Sequence, residues 1–463
     1  MNPLKKIKHI HFVGIGGSGM IGIAYLLLRK GYKVSGSDIQ KSNSLIDLKK
    51  LGAKVFYSHN EKNIGNADLI VMSSAIRKSN PEIRLAKKLG LTIIPRAQML
   101  GSLMRGYESI AIAGSHGKTT TTSMIASIFT EALLSPTYIV GGKVLGSGKN
   151  SELGKGNYLI AEADESDGSF LHLQPDVGVF TNIDNDHLSF FDNDIEKLLD
   201  AFRMFAENIP FYGALIINKD DKNVMKVAKK TSRRQISFGG SSRCNYQIKD
   251  IVYKDKNQFF SMVDNFVNKT YQFTLPMAGK HNVYNAAAAI AASLEEGVPL
   301  KYIKQGLKKF KGVSRRFEKY KLNINKKEIL LIDDYGHHPA EIKSTMNAIY
   351  QAFPNKRVCM IFQPHRYTRT AQLYNDFIDV LSMPNSLLLL DIYEASEKPI
   401  KGISSRKLLE SIKQNGKLDA RHTSDKLILG DIKNSTNDFD ILVTQGAGSV
   451  SSICEKIRAK WEI

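Results

Sequence analysis

Between Gly114 and Thr121 the chain reads GSHGKTTT. A strand-like run, Ser109 to Ala113, leads into it, and a run with Met124, Ile125, Ile128, Phe129 and Leu133 at helical spacing leaves it. That order of elements suits a phosphate loop. Gly114 and Gly117, with Ser115 and His116 between them, let backbone N–H groups turn towards an anion. Lys118 reaches the outer phosphates, Thr119 offers a hydroxyl to Mg²⁺, and Thr120 continues a helix N-terminus that favours negative charge. The chemistry implied is the binding of a nucleoside triphosphate. The loop closes as GxxGKT, two residues shorter than the general GxxxxGK[ST]. A plain glycine-rich turn would leave the Lys-Thr pair unexplained.

Other polar groups also follow apolar runs. Gly14, Gly16, Gly17, Ser18 and Gly19 come directly after a strand-like Ile7 to Val13 and open an apolar helix from Met20 to Leu28, which is G-x-G-x-x-G in its required setting. Asp38 ends the next strand, Val34 to Ser37, where a ribose-binding acid would sit. This fingerprint reports a diphosphate and leaves open what is attached to it, a nicotinamide dinucleotide being one choice. Tyr158 to Asp167, YLIAEADESD, delivers Glu162, Asp164, Glu165 and Asp167 to one strand end. So many carboxylates call for a cation such as nucleotide-bound Mg²⁺, unless the turn is simply solvated. After the strand Val177 to Phe180 come Asp186 and His187, a ligand pair or a hydrogen-bonded pair by spacing alone. Asn282 and Asn285 share one helix face, where amides read a base or bind phosphate; N-capping by Asn282 accounts for only one of them.

The elements that must position these groups alternate as strand and helix over most of the length, with hairpins between Tyr246 and Leu275. At 463 residues the chain exceeds a single core. The reading is an α/β protein of three domains. Residues 1–107 form a Rossmann-like domain, 108–313 a central P-loop-type ATP-binding α/β domain, and 314–463 a C-terminal Rossmann-like α/β domain. The basic stretch Lys311 to Phe317 is the hinge into the last, and an arginine there can close over a phosphate. In the third domain Asp333 to Pro339 (DDYGHHP), Gln363 to Arg369 and Gln445 to Gly448 follow strands.

Lys and Arg outnumber Asp and Glu by 65 to 45, a formal charge of +20. The lysines are scattered, and no basic arm or aromatic-interleaved stripe appears, so no nucleic-acid partner is expected and the charge is read as solvated surface plus anion sites. Cys244, Cys359 and Cys454 are too widely spaced for a disulfide framework or a structural zinc site, which fits a reducing cytoplasm. No apolar run reaches bilayer length, so neither export nor membrane insertion is expected.

GSHGKTTT, EADESD, GKHNVYNAAAA and the region from Arg315-Arg316 to Asp334, taken in that order, resemble the muramyl ligases, the ATP-dependent amide-forming enzymes of peptidoglycan synthesis. The match spans all three domains, and the family leads one to expect the shortened GxxGKT. HFVGIGGSGM and DDYGHHP are most similar to the members that join L-alanine to UDP-N-acetylmuramate. A relative that attaches a recycled peptide to the same sugar nucleotide shares the glycine turn. The resemblance implies a cytoplasmic monomer or weak homodimer with ATP and Mg²⁺, in which ATP phosphorylates the lactyl carboxylate and the amine attacks the acyl phosphate. It implies that Lys118 neutralises the β and γ phosphates, Thr119 and Glu162 hold one Mg²⁺, and His187 holds a second. Asn282 and Asn285 would position ATP, Arg316 (or Arg315) would close on its phosphates, and Asp334 (or Asp333) would hold the ribose. The Gly14 to Gly19 turn would receive UDP, and His337, His338, Arg366 and Arg369 are the candidates for the amino acid. An oxidoreductase using NAD, or a nucleotide-regulated binding protein without ligation, are the competing classes; neither uses the Glu162, His187 and Asn282 constellation.

Overall fold

In the computed structural model, which describes residues 4, 6–146, 148–186, 188–395, 397–416 and 419–463 (without the side chains of residues 18 and 189), the apolar runs form three sheets. The first contains β1 (His9–Val13), β2 (Lys33–Ser37), β3 (Lys54–Phe56), β4 (Leu69–Met72) and β5 (Thr92–Pro95). Its order is β3-β2-β1-β4-β5 with every pair parallel. The register pairs Val13 with Ser37 and with Met72, so three strand ends lie side by side.

The second sheet is built from β6 (Glu108–Ala113), β7 (Thr137–Val144), β8 (Lys149–Glu152), β9 (Tyr158–Glu162), β10 (Val177–Phe180), β11 (Ala214–Asn218), β12 (Gln235–Gly239), β13 (Tyr246–Lys254), β14 (Asn257–Asp264) and β15 (Lys269–Leu275). They run in the order β15-β14-β13-β12-β11-β10-β6-β9-β7-β8. The third contains β16 (Glu318–Ile324), β17 (Lys327–Asp334), β18 (Val358–Phe362), β19 (Ser386–Leu389), β20 (Asp419–His422) and β21 (Ile441–Gln445), ordered β16-β17-β21-β18-β19-β20. There β16 is antiparallel to β17 and the remaining pairs are parallel.

The parallel strands are apolar at consecutive positions because both of their faces are covered. In the third sheet Ile332, Met360, Phe362 and Val443 pack on one side with Ile342 and Met346 of the helix Pro339–Ala352. Leu331, Ile361 and Leu442 pack on the other with Ile453 and Ile457 of the helix Val450–Trp461. This is period-two alternation into two cores. Each fully buried side chain of the size of Phe362 contributes roughly 1.5–3 kcal/mol of apolar burial.

Two compact units result. One gathers the chain up to Val252 with Phe259–Pro276 and Asn282–Lys311; the other gathers Tyr253–Gln258, Met277–His281 and Gly312–Ile463. Residues of the first and second sheets share one apolar core in the first unit.

The three sheets agree with the α/β reading, and most of the strands named from the sequence lie within two or three residues of their expected places. After β18 come two short helices, Tyr367–Gln372 and Tyr374–Leu381, broken at Leu373, whose backbone (φ −110°, ψ 28°) is not helical. The helix that carries Asn282 and Asn285 begins at Lys280. Asn282 therefore lies inside it and is not its N-cap.

Candidate functional site

β6 ends at Ala113 between β9 and β10, so its C-terminal end is a switch point from which crossovers diverge, the place where a doubly wound sheet binds ligands. Gly114–Gly117 turns there into the helix Lys118–Glu131. At Gly114 (φ +138°) a Cβ would stand 2.1 Å from Thr181 Oγ1, and at Gly117 (φ +83°) it would stand 2.3 Å from Asn285 Oδ1. Both positions need glycine for conformation and for space. The end of β10 holds the loop in shape. The Asn182 carbonyl accepts the Ser115 N–H at 3.1 Å. Its side chain accepts the His116 N–H at 2.9 Å and donates to the His116 carbonyl at 3.0 Å, where Thr181 Oγ1 also donates at 2.6 Å. His116 Nε2 lies 3.3 Å from the Asp184 carboxylate. Asn282 and Asn285 are both buried, one amide 3.4 Å from the other.

Glu165, Asp164 and Glu162 of the acidic stretch all act on the Lys118 ammonium, Glu165 most strongly. Glu165 is fully buried and accepts from Lys118 Nζ at 2.8 Å, while Nζ also donates to the Gly114 carbonyl at 2.5 Å. Burial opposes the Lys118 charge, but Glu165 and Asp164 outweigh it and hold the ammonium above the usual lysine range. Burial also pushes the Glu165 carboxyl up, to about 7, despite the neighbouring ammonium. Asp164 faces Arg96 at 3.7 Å, and Asp167 accepts the Ser169 N–H at 3.0 Å. Lys118 thus pairs with Glu165 and Arg96 with Asp164, and a turn engages Asp167. Glu162, at the end of β9, accepts the Gly141 N–H at 2.5 Å, and its oxygens fill the space a Cβ on Gly141 would approach to 3.2 Å. Thr119 is buried in the first turn of the helix. A hydroxyl and a carboxylate are hard oxygen donors, which fit Mg²⁺. His187 lies outside the described residues.

The glycine turn of the first sheet sits at the β1/β4 switch point. Gly14 (φ +82°) and Ile15 donate their N–H groups to the Ser37 carbonyl at 2.9 and 3.0 Å, and Gly16 donates to Asp38 Oδ2 at 2.8 Å. Asp38 thereby closes the turn. A Cβ on Gly16 would stand 2.7 Å from that oxygen, and one on Gly19 would stand 2.3 Å from Arg96 Nη1. Gly17 occupies the helix N-cap, and the side chain of Ser18 lies outside the described ones. Arg96 therefore touches both the glycine turn and the acidic stretch, a link the sequence reading missed.

In the second unit β17, β21 and β18 end together at Asp334, Gln445 and Phe362. Asp333 is paired with Arg315 (3.1 Å) and accepts from Thr444 Oγ1 at 2.8 Å. Asp334 accepts the N–H groups of Phe317 and Gly336 at 2.9 and 2.8 Å, and burial pushes its carboxyl up to about 6. Arg316 lies 3.5 Å from Glu341, and its guanidinium is 5.1 Å from the Tyr335 ring centre. His338 caps the helix Pro339–Ala352, accepting the Ala340 N–H, while Glu341 accepts the N–H groups of His337 and His338. Arg366 (φ +74°) and buried Arg369 flank His365, whose ring stacks on Tyr393 at 5.4 Å and lies 5.6 Å from His337. The structure thus brings His337 and Arg369 together around His365. In the sequence His365 falls within Gln363 to Arg369, marked only by its place after a strand, and nothing there points to Tyr393.

Three family models match: "Mur ligase family, catalytic domain" over residues 9–108, "Mur ligase middle domain" over 112–293, and "Mur ligase, glutamate ligase domain" over 315–448. The chain is 44% identical over 457 residues to UDP-N-acetylmuramate–L-alanine ligases of Psychrobacter arcticus and Psychrobacter cryohalolentis, covering 98% of this chain and 95% of each relative. The crystal structure of the UDP-N-acetylmuramate-alanine ligase of Thermotoga maritima superposes with a TM-score of 0.83 at 27% identity, with 98% of each chain covered. A murein peptide ligase of Psychrobacter arcticus shares the fold at a TM-score of 0.72 and 23% identity over 98% of each chain. With its phosphate loop, its glycine turn and its third sheet all lying within matched segments, the chain belongs to the Mur ligase family.

Proposed function

We propose that the chain is an ATP-dependent ligase that joins L-alanine to the lactyl carboxylate of UDP-N-acetylmuramate, in cytoplasmic peptidoglycan precursor synthesis. The full-length 44% identity to two ligases of that name carries the reading. The carboxylate attacks the γ-phosphorus of ATP and ADP leaves. The alanine amine then attacks the acyl phosphate, loses a proton, and inorganic phosphate departs as the amide forms. There is little covalent chemistry for the protein to do, so positioning and electrostatics must supply the rate.

In this reading residues 1–107 take the UDP-sugar on the Gly14–Gly19 turn, 108–313 take ATP, and 314–463 take the amino acid and part of ATP. Lys118 exchanges its Glu165 partner for the β and γ phosphates. The loop backbone from Gly114 to Thr120 holds phosphate oxygens in a shape that Thr181 and Asn182 have set in advance. Thr119 and Glu162 would hold Mg²⁺, with His187 for a second ion, and bound metal would offset charge on the transferring phosphoryl group. Asn282 and Asn285 position ATP, Arg316 its phosphates and Asp334 its ribose. His337, His338, Arg366 and Arg369 serve the alanine carboxylate and amine.

The test is phosphate release from ATP as a function of UDP-N-acetylmuramate and a panel of amino acids. Release should need both, with alanine preferred. Release without an amino acid, or a preference for a preformed peptide, would overturn the assignment.

A further inference from the structure

A second polar network lies beneath the glycine turn, and no role proposed above uses it. Glu82, near the start of the helix Pro81–Lys88, is fully buried, as are Ser37 and His11. Its Oε2 accepts from Ser37 Oγ at 2.5 Å and lies 3.6 Å from His11 Nε2 and 3.5 Å from His59 Nδ1. Its Oε1 accepts the Asn60 N–H at 3.1 Å and Asn63 Nδ2 at 2.6 Å. His59 Nδ1 also meets Ser37 Oγ, at 2.9 Å. A carboxylate so far from water is costly, and packing alone would be served as well by an apolar side chain of similar size. What distinguishes this one is the residue it holds.

Ser37 is the last residue of β2, and the turn hangs from it. Its carbonyl accepts both Gly14 and Ile15 N–H groups, and the next residue, Asp38, accepts Gly16 N–H. A helix, the 3₁₀ turn Glu61–Asn63 with its cap Asn60, and the end of β2 therefore converge on one carboxylate. Through Ser37 that carboxylate fixes the strand end whose carbonyl closes the glycine turn.

We propose that Glu82 is a positioning residue for the UDP-sugar, acting through Ser37 on the Gly14–Gly16 turn. This rests on the reading that the turn receives UDP. Calorimetric titration of the full chain with UDP and with UDP-N-acetylmuramate would compare wild type, Glu82→Gln, Ser37→Ala and the double variant. Each single change should raise Kd about tenfold, the scale of a hydrogen bond to a charged group. The double variant should be no weaker than the weaker single, because both act through one contact. In turnover assays KM for the UDP-sugar should rise while kcat and KM for ATP change less than twofold. Ser37→Ala leaves the backbone carbonyl in place and keeps the test decisive where Glu82→Gln folds poorly. Wild-type affinity in both single variants, or fully additive losses in the double, would overturn the inference alone. A wild type that binds neither UDP nor UDP-N-acetylmuramate would overturn the underlying reading, and the inference with it.

Discussion

At the scale of single residues the site depends on charge and on the absence of side chains. Lys118 is partly buried and the carboxylates beside it keep its charge intact, which makes it a ready partner for phosphate. Replacing it with alanine should lower kcat by roughly 10²–10³-fold or more, while titration with UDP-N-acetylmuramate stays at wild-type affinity. Equal loss of both would break the division of labour between the phosphate loop and the glycine turn. Gly117 and Gly52 both have positive φ, but a Cβ on Gly52 meets nothing within 4 Å, whereas one on Gly117 meets Asn285 at 2.3 Å. Gly52→Ala should cost about 1 kcal/mol of backbone strain. Gly117→Ala should cost clearly more and remove phosphate release, which urea unfolding and the release assay together would establish.

At the scale of elements, two helix starts hold functional groups in place. The helix Pro339–Ala352 is capped by His338, so His338→Ala should destabilise by about 1 kcal/mol. His338→Asn should restore the cap and the stability yet leave KM for alanine raised; recovery of both in melting and kinetic assays would reduce His338 to a cap. The helix Pro81–Lys88 carries Glu82. Burial alone would raise its carboxyl, but the nearby His11 imidazole and hydrogen bonds from Ser37 and Asn63 prevail and bring it from 4.5 to about 2. Because the folded value lies below the unfolded one, its contribution is fully present above pH about 4.5 and is lost as pH falls towards 2. Unfolding free energies measured across that window should fall more steeply for wild type than for Glu82→Gln, and parallel curves would contradict the assignment.

At the scale of the whole molecule, a ligand that binds only the folded chain must raise its stability. UDP-N-acetylmuramate at about a hundred times its Kd should add about 2.7 kcal/mol, read by calorimetry, whereas NAD should add nothing. A shift with NAD would revive the dinucleotide reading of the Gly14–Gly19 fingerprint. The sequence by itself determined the order of strand, loop and helix around each motif, the α/β class with three sheets, and the residues able to meet phosphate. Those features follow from local periodicity and from glycines whose need for positive φ is a property of the residue. Only the tertiary structure decided the partners. In sequence Glu165 stood with Glu162 as one acidic group; in space it pairs with Lys118, and Asp164 lies between Lys118 and Arg96. Asn285 was legible as a helix-face amide, but not as the group that forbids a side chain at Gly117. Glu82 was unremarked within its helix and proves to lie under the glycine turn. Such pairings depend on strand order, with β6 set between β9 and β10 and β1 between β2 and β4, and on long-range burial. A local pattern carries the period of each element but not its neighbour.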